Sequence, residues 1–166
     1  MKTEHLLIMR FTALGEVAML VPVVSSLAQQ YPELRITVLS NPFARSLFDG
    51  IAHNVGFMAA DLNGEYHGVK GLNALYRRLV AKNFTAIADM QSILRSSYLR
   101  MRFNISSYRV EHLDNHRQDR RKLVATKDKC LRQLPSLFDD YIDVLARLGY
   151  NVRLDFQSLF PPTGGN

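Results

Sequence analysis

His5-Leu6-Leu7-Ile8-Met9-Arg10-Phe11-Thr12-Ala13-Leu14-Gly15-Glu16-Val17-Ala18-Met19 passes from an unbroken apolar stretch, through small residues, into helical spacing. Consecutive apolar residues ending at Arg10 predict a strand covered on both faces, as parallel sheets require, and the change of period after Gly15 predicts a helix. Glu16 then stands at the carboxyl end of the strand, the edge at which open α/β sheets bind ligands.

Working outward, residues 36–39 read as a second strand. Asn41 and Pro42, residues favoured at helix starts, open a short helix through Phe48, and 55–59 form a third strand. Gly64, Gly68 and Gly71 mark a flexible connection suited to covering a site, before a helix over 72–82 whose Leu72, Leu75, Tyr76 and Leu79 share one face. A fourth strand, 84–89, ends in Asp89 on the same sheet edge as Glu16, and a helix over 92–103 follows. A short strand over 107–111 leads into a basic, helical region through Arg132. Ser136, with Asp139 three residues on, opens a final helix through Leu148, with Gly149 at its left-handed end. This alternation predicts an α/β, Rossmann-like, doubly wound and mainly parallel sheet with helices on both faces, in one domain.

The opening run resembles the first motif of the bacterial lipopolysaccharide heptosyltransferases, in which a basic residue, a small polar patch, Gly-Asp and a later helical Pro follow the first strand. The matching residues are Arg10, Thr12, Gly15, Glu16 and Pro22, and the likeness continues through Gln29-Gln30-Tyr31-Pro32, strand 36–39 and Asp89-Met90-Gln91-Ser92-Ile93-Leu94-Arg95-Ser96. The resemblance implies the N-terminal half of a GT-B glycosyltransferase: residues 1–159 as the acceptor-side domain and 160–166 as the start of an interdomain linker. The C-terminal donor-binding domain is absent from the match.

The family transfers heptose from ADP-heptose to an anionic saccharide acceptor of the lipid A–Kdo type, at the cytoplasmic face of the inner membrane, without a metal or further cofactor. Glu16 takes the place of the family's catalytic Asp, a general base for the attacking hydroxyl. Asp and Glu have similar free pKa values, about 3.9 and 4.3, so basicity is preserved while the extra methylene changes reach. The same carboxylate would also complement the positive end of its own helix. Arg10 suits an anionic acceptor group, Thr12 and Gly15 leave close backbone access, and Asp89 and Gln91 can hydrogen-bond sugar hydroxyls. Asp89 could equally cap the next helix. Arg95 and Ser96 are suited to a carboxylate or phosphate.

Charge is uneven along the chain. The net charge of +6 is concentrated in 95–132, where eleven Lys and Arg face four Asp and Glu. Arg117, Arg120, Arg121 and Lys122 read as an anionic-surface contact or as a solvated face. A non-catalytic basic module binding nucleic acid or an anionic membrane surface is the alternative function. Nucleic acid is disfavoured by the absence of a recognised binding module or aromatic stacking platform. Ala13-Leu14-Gly15 lacks the GxGxxG fingerprint of nicotinamide enzymes, and no GxxxxGK[ST] loop occurs. His112, Asp114 and His116 lack the HExxH pattern, so no metal site is expected. The lone Cys130 excludes an intrachain disulfide and fits a reducing compartment. No apolar run reaches the roughly 20 residues of a membrane span, and the opening Met1-Lys2-Thr3-Glu4-His5 has no signal-peptide character, which points to the cytoplasm.

Overall fold

The computed structural model describes residues 4–105, 108–113 and 129–154. Five strands, β1 (His5–Met9), β2 (Arg35–Ser40), β3 (Val55–Ala59), β4 (Ala86–Asp89) and β5 (Arg109–His112), form one all-parallel sheet of order β3-β2-β1-β4-β5. Sequence character follows position in that order. The central strands β1 and β4 are buried at every residue, whereas β3 and β5, at the two edges, are mostly half-exposed. Arg109 and Glu111 place charge on the β5 edge, which discourages pairing with a further strand.

Among the described residues the helices are α1 (Leu14–Ala18), α2 (Leu20–Gln30), α3 (Arg45–Phe48), α4 (Gly68–Val80), α5 (Leu94–Ile105) and α6 (Lys129–Arg147), with a 3₁₀ turn at Pro42–Ala44 before α3. Alternation along each strand divides the core in two. Leu6, Ile8, Ile36, Val38, Ala86 and Ala88 meet Leu20, Val23, Val24 and Leu27 of α2 and Tyr141, Val144, Leu145 and Leu148 of α6. On the other face, Leu7, Met9, Leu39 and Ile87 meet Leu72, Leu75 and Leu79 of α4 and Leu99 and Phe103 of α5.

Strand four starts at Ala86 rather than 84, strand five is Arg109–His112 rather than 107–111, and other ends shift by one or two residues; three helix starts differ more tellingly. Helix α4 begins at Gly68 rather than Leu72, because Gly71 is not a hinge but a contact: a Cβ there would run into the main chain of Tyr66. Helix α5 begins at Leu94 rather than Ser92, since Ser92 is held at φ 56°, outside helical geometry. Helix α6 starts at Lys129, so the Ser136–Asp139 pair lies within it rather than at its start. Its far end behaves as read: Gly149 has φ 102°, and Tyr150 N–H reaches back to Leu145 O at 2.8 Å. Arg147 secures this end to β5, donating to His112 O at 2.7 Å and pairing with Glu111 at 3.0 Å.

Candidate functional site

The sheet order reverses direction between β1 and β4: the chain proceeds outward from β1 through β2 to β3, then crosses back to β4 on the other side. Parallel register aligns Met9 with Leu39 and Asp89, and Asp89 with His112. The segments leaving β1 and β4 therefore emerge side by side, at the kind of strand-order reversal where open α/β sheets bind ligands.

Arg10 joins the two segments. Its side chain is only 7% exposed, with Nε donating to Thr12 O at 3.0 Å and Nη1 to Met90 O at 2.6 Å. The remaining terminal nitrogen, Nη2, pairs with the Glu16 carboxylate, whose side chain is 47% exposed in the first turn of α1. Gln91 ties the same segments from the other side: Oε1 accepts Phe11 N–H at 2.7 Å and Thr12 N–H at 3.3 Å, while Nε2 donates to Thr12 Oγ1 at 2.6 Å. Asn41, just after β2, adds a bond from Nδ2 to Phe11 O at 2.7 Å. Main-chain polar groups that leave a sheet need partners, and here side chains from three loops supply them.

Asp89 is fully buried. Its Oδ1 accepts the Gln91 and Ser92 N–H groups at 3.1 and 2.9 Å, and its Oδ2 accepts from Arg100 Nη1 at 3.1 Å. Arg100 donates also to Ser92 Oγ at 3.2 Å, and Ser92 Oγ donates to Leu113 O at 2.6 Å. A buried carboxylate is tolerable only when it is paired and hydrogen-bonded in this manner.

Ser96 is buried as well, its hydroxyl donating to Ile93 O and accepting Ile93 N–H within the first turn of α5. Arg95 reaches across to Leu62 O at 3.2 Å and Asn63 Oδ1 at 2.8 Å, fastening α5 to the connection between β3 and α4. At Gly15 an added Cβ would meet nothing within 4 Å.

Tyr141 of α6 completes the arrangement from below. It is wholly buried, donates to Glu16 O at 2.8 Å, and has the Arg10 guanidinium 5.9 Å from its ring centroid. Burial pushes its hydroxyl far above the ordinary phenol range, against the opposing pull of Arg10, so it remains a donor.

The structure thus brings together Arg10, Thr12, Gly15, Glu16, Asp89 and Gln91, while Arg95 and Ser96 stand in the first turn of α5, Arg95 turned to Leu62 and Asn63. Asn41, Ser92, Arg100 and Tyr141 were not read from sequence as site residues. The apolar spacing of Leu137, Tyr141, Val144 and Leu148 marks the buried face of α6, but no local pattern says that this hydroxyl reaches Glu16. Arg117, Arg120, Arg121, Lys122, Asp114, His116 and the 160–166 segment lie outside the described residues, as does the side chain of Cys130. Among the described residues, no group of three or more His, Cys, Asp and Glu could hold a metal, and no helix is long and apolar enough to cross a membrane. Depressions formed by described residues lie elsewhere, one of about 410 Å³ at the opposite sheet edge beside His5, Arg35 and His53, another of about 440 Å³ between β5 and the end of α6.

No family model and no curated protein sequence matches this chain. Among solved structures, it is similar to a glycosyl transferase family 9 protein from Veillonella parvula, with TM-score 0.63 and 18% identity over 93% of this chain and 46% of that one. It is also similar to E. coli heptosyltransferase WaaC with ADP-2-deoxy-2-fluoro heptose, with TM-score 0.61 and 15% identity over 95% of this chain and 54% of that one. The chain has the Rossmann-like α/β fold found in these glycosyltransferases, and it spans about half of their length.

Proposed function

We propose that this domain is the acceptor-side half of an inverting, heptosyltransferase-like glycosyltransferase of lipopolysaccharide core assembly. The observation that carries the reading is a half-exposed carboxylate, Glu16, held at the point where the sheet changes direction, in a fold shared with glycosyltransferases. In the intact enzyme, Glu16 would accept the proton of an acceptor hydroxyl as its oxygen attacks the anomeric carbon of ADP-heptose. The bond from that carbon to phosphate breaks, ADP departs, and the configuration inverts. The donor would be held chiefly by a second domain across the cleft, and no metal or further cofactor is required by this scheme. The acceptor would be a lipid A–Kdo-type or other anionic saccharide presented at the cytoplasmic face of the inner membrane, with Arg117, Arg120, Arg121 and Lys122 toward the anionic surface.

The roles divide by exposure. Glu16, Thr12 and Gly15 border the open edge and would face the acceptor. Asp89, Gln91 and Ser96 are buried and already paired, which supports a positioning role beneath the acceptor. Arg95 would set the nearby connection, and Arg10 both orients Glu16 and stands ready for an acid group.

The decisive assay is ADP-heptose-dependent transfer to a Kdo–lipid A acceptor by the full-length polypeptide carrying this domain, beside purified residues 1–166. Glu16→Gln is expected to lower kcat by about a hundredfold or more, the usual weight of a general base, and residues 1–166 alone to show little or no turnover. Transfer by the Gln variant at the unaltered rate would remove Glu16 from the chemistry.

A further inference from the structure

We infer that the Arg10–Glu16 pair is an exchangeable latch: an anionic group of the incoming ligand takes the place of Glu16 on Arg10 and thereby frees the carboxylate. This deepens the transferase reading and rests on it for its consequence in catalysis, though not for the exchange itself. The asymmetry of the pair is what points there. The cation is almost wholly buried and its partner is half exposed, so the member able to leave is Glu16.

Arg10 cannot follow it. Two of its donors are spent on Thr12 O and Met90 O, main-chain acceptors in two different segments, which fix the plane of the guanidinium. If Glu16 swings out, Nη2 is left aimed at the open edge without a partner, and a nearly buried cation without an anion is strongly disfavoured. Departure of Glu16 is therefore coupled to arrival of another anion. A carboxylate or phosphate oxygen fits, because the guanidinium presents an N–H there in fixed geometry.

The motion required is small. Tyr141 holds the Glu16 main chain through its carbonyl, so the release is a side-chain rotation and α1 keeps its place. An empty site then keeps the carboxylate occupied, and an acceptor bearing an acid group releases it only once bound. The released carboxylate is free for a hydroxyl of that same ligand.

The exchange is read on residues 1–166 without donor or turnover. Inorganic phosphate and glucuronate, as separate probes, are titrated while the Arg10 Nε–Hε and Glu16 carboxyl NMR signals are followed. Saturable movement of both signals at one midpoint is expected, and the probe with the tighter midpoint distinguishes a phosphate from a carboxylate source. In Glu16→Gln the anion should bind more tightly, on the order of three- to fivefold, because the internal competitor has lost its charge. In Arg10→Met the Glu16 response should vanish, and the Glu16 response in the unaltered chain serves if that variant does not fold. Anion binding that is weaker or unchanged in Glu16→Gln, or an Arg10 signal that moves while Glu16 stays still, overturns the latch. Exchange without any transfer by the full-length polypeptide supports the latch and overturns the transferase reading. Transfer without exchange overturns the latch alone.

Discussion

Gly15 separates what the fold needs from what a ligand would need. It lies in α1 with open space where a Cβ would stand, so no contact among the described residues requires a glycine there. Alanine is favoured over glycine inside a helix by up to about 1 kcal/mol, so Gly15→Ala should leave urea-unfolding stability unchanged or slightly raised. The same methyl group projects at the open edge and should reduce transfer by the full-length polypeptide, because an acceptor displaced by about 1 Å can lose about a hundredfold in rate. Undiminished transfer in a fully folded variant would show that no ligand approaches Gly15. Arg10, Thr12, Glu16, Asp89 and Gln91 were selected by the resemblance, motif by motif along the chain. Their mutual contacts were not legible, since Phe11 and Gln91 lie 80 positions apart and meet only after β1 and β4 pair. Arg100 also went unread: it lies outside the matched motif, and its pairing with Asp89 across the turn after β4 is set only by the fold.

At the scale of elements, the amino edge of the sheet is stitched by one imidazole. His5 of β1 donates from Nδ1 to Lys82 O at 3.1 Å, just before β4, and its Nε2 accepts from Thr37 Oγ1 of β2 at 2.8 Å, an arrangement that suits the neutral ring. Burial chiefly, then the Arg35 and Lys82 charges, hold its pKa below the usual 6.5, against the raising effect of the Lys82 carbonyl. Below pH 6.5 the unfolded chain therefore binds more protons than the folded one. The contribution of His5 is complete above that pH and is lost as pH falls through the lower folded value. Urea unfolding between pH 7.5 and 5 should show a stability difference between the unaltered chain and His5→Gln that shrinks on acidification. Parallel pH profiles would exclude His5 as the source. Element positions were readable wherever a strand is continuous and apolar, as in β1 and β3. They were misread where a residue has two uses, as with Gly71, which resembles a loop glycine but serves a close contact inside α4.

The whole molecule is a sheet with unlike burdens on its faces. One side carries α1, α2 and α6, including Tyr141 beneath the Glu16 segment, and the other carries α4 and α5, including Arg100 beneath the Asp89 turn. The fold class was accessible from sequence because the alternation of strand and helix survives individual errors of boundary. The crossing point was not, because strand order is a property of the assembled sheet, and only that order makes β1 and β4 neighbours. The division of the interior also governs how damage spreads. Val24 and Leu75 belong to separate apolar clusters with the backbone of the sheet between them. Truncations there, Val24→Ala and Leu75→Val, should sum in the double variant to within about 0.5 kcal/mol by chemical denaturation. A surplus of about 1 kcal/mol or more would mean that the strands bend to relay strain, whereas simple additivity makes the sheet a mechanical partition, each half free to be repacked without retuning the other.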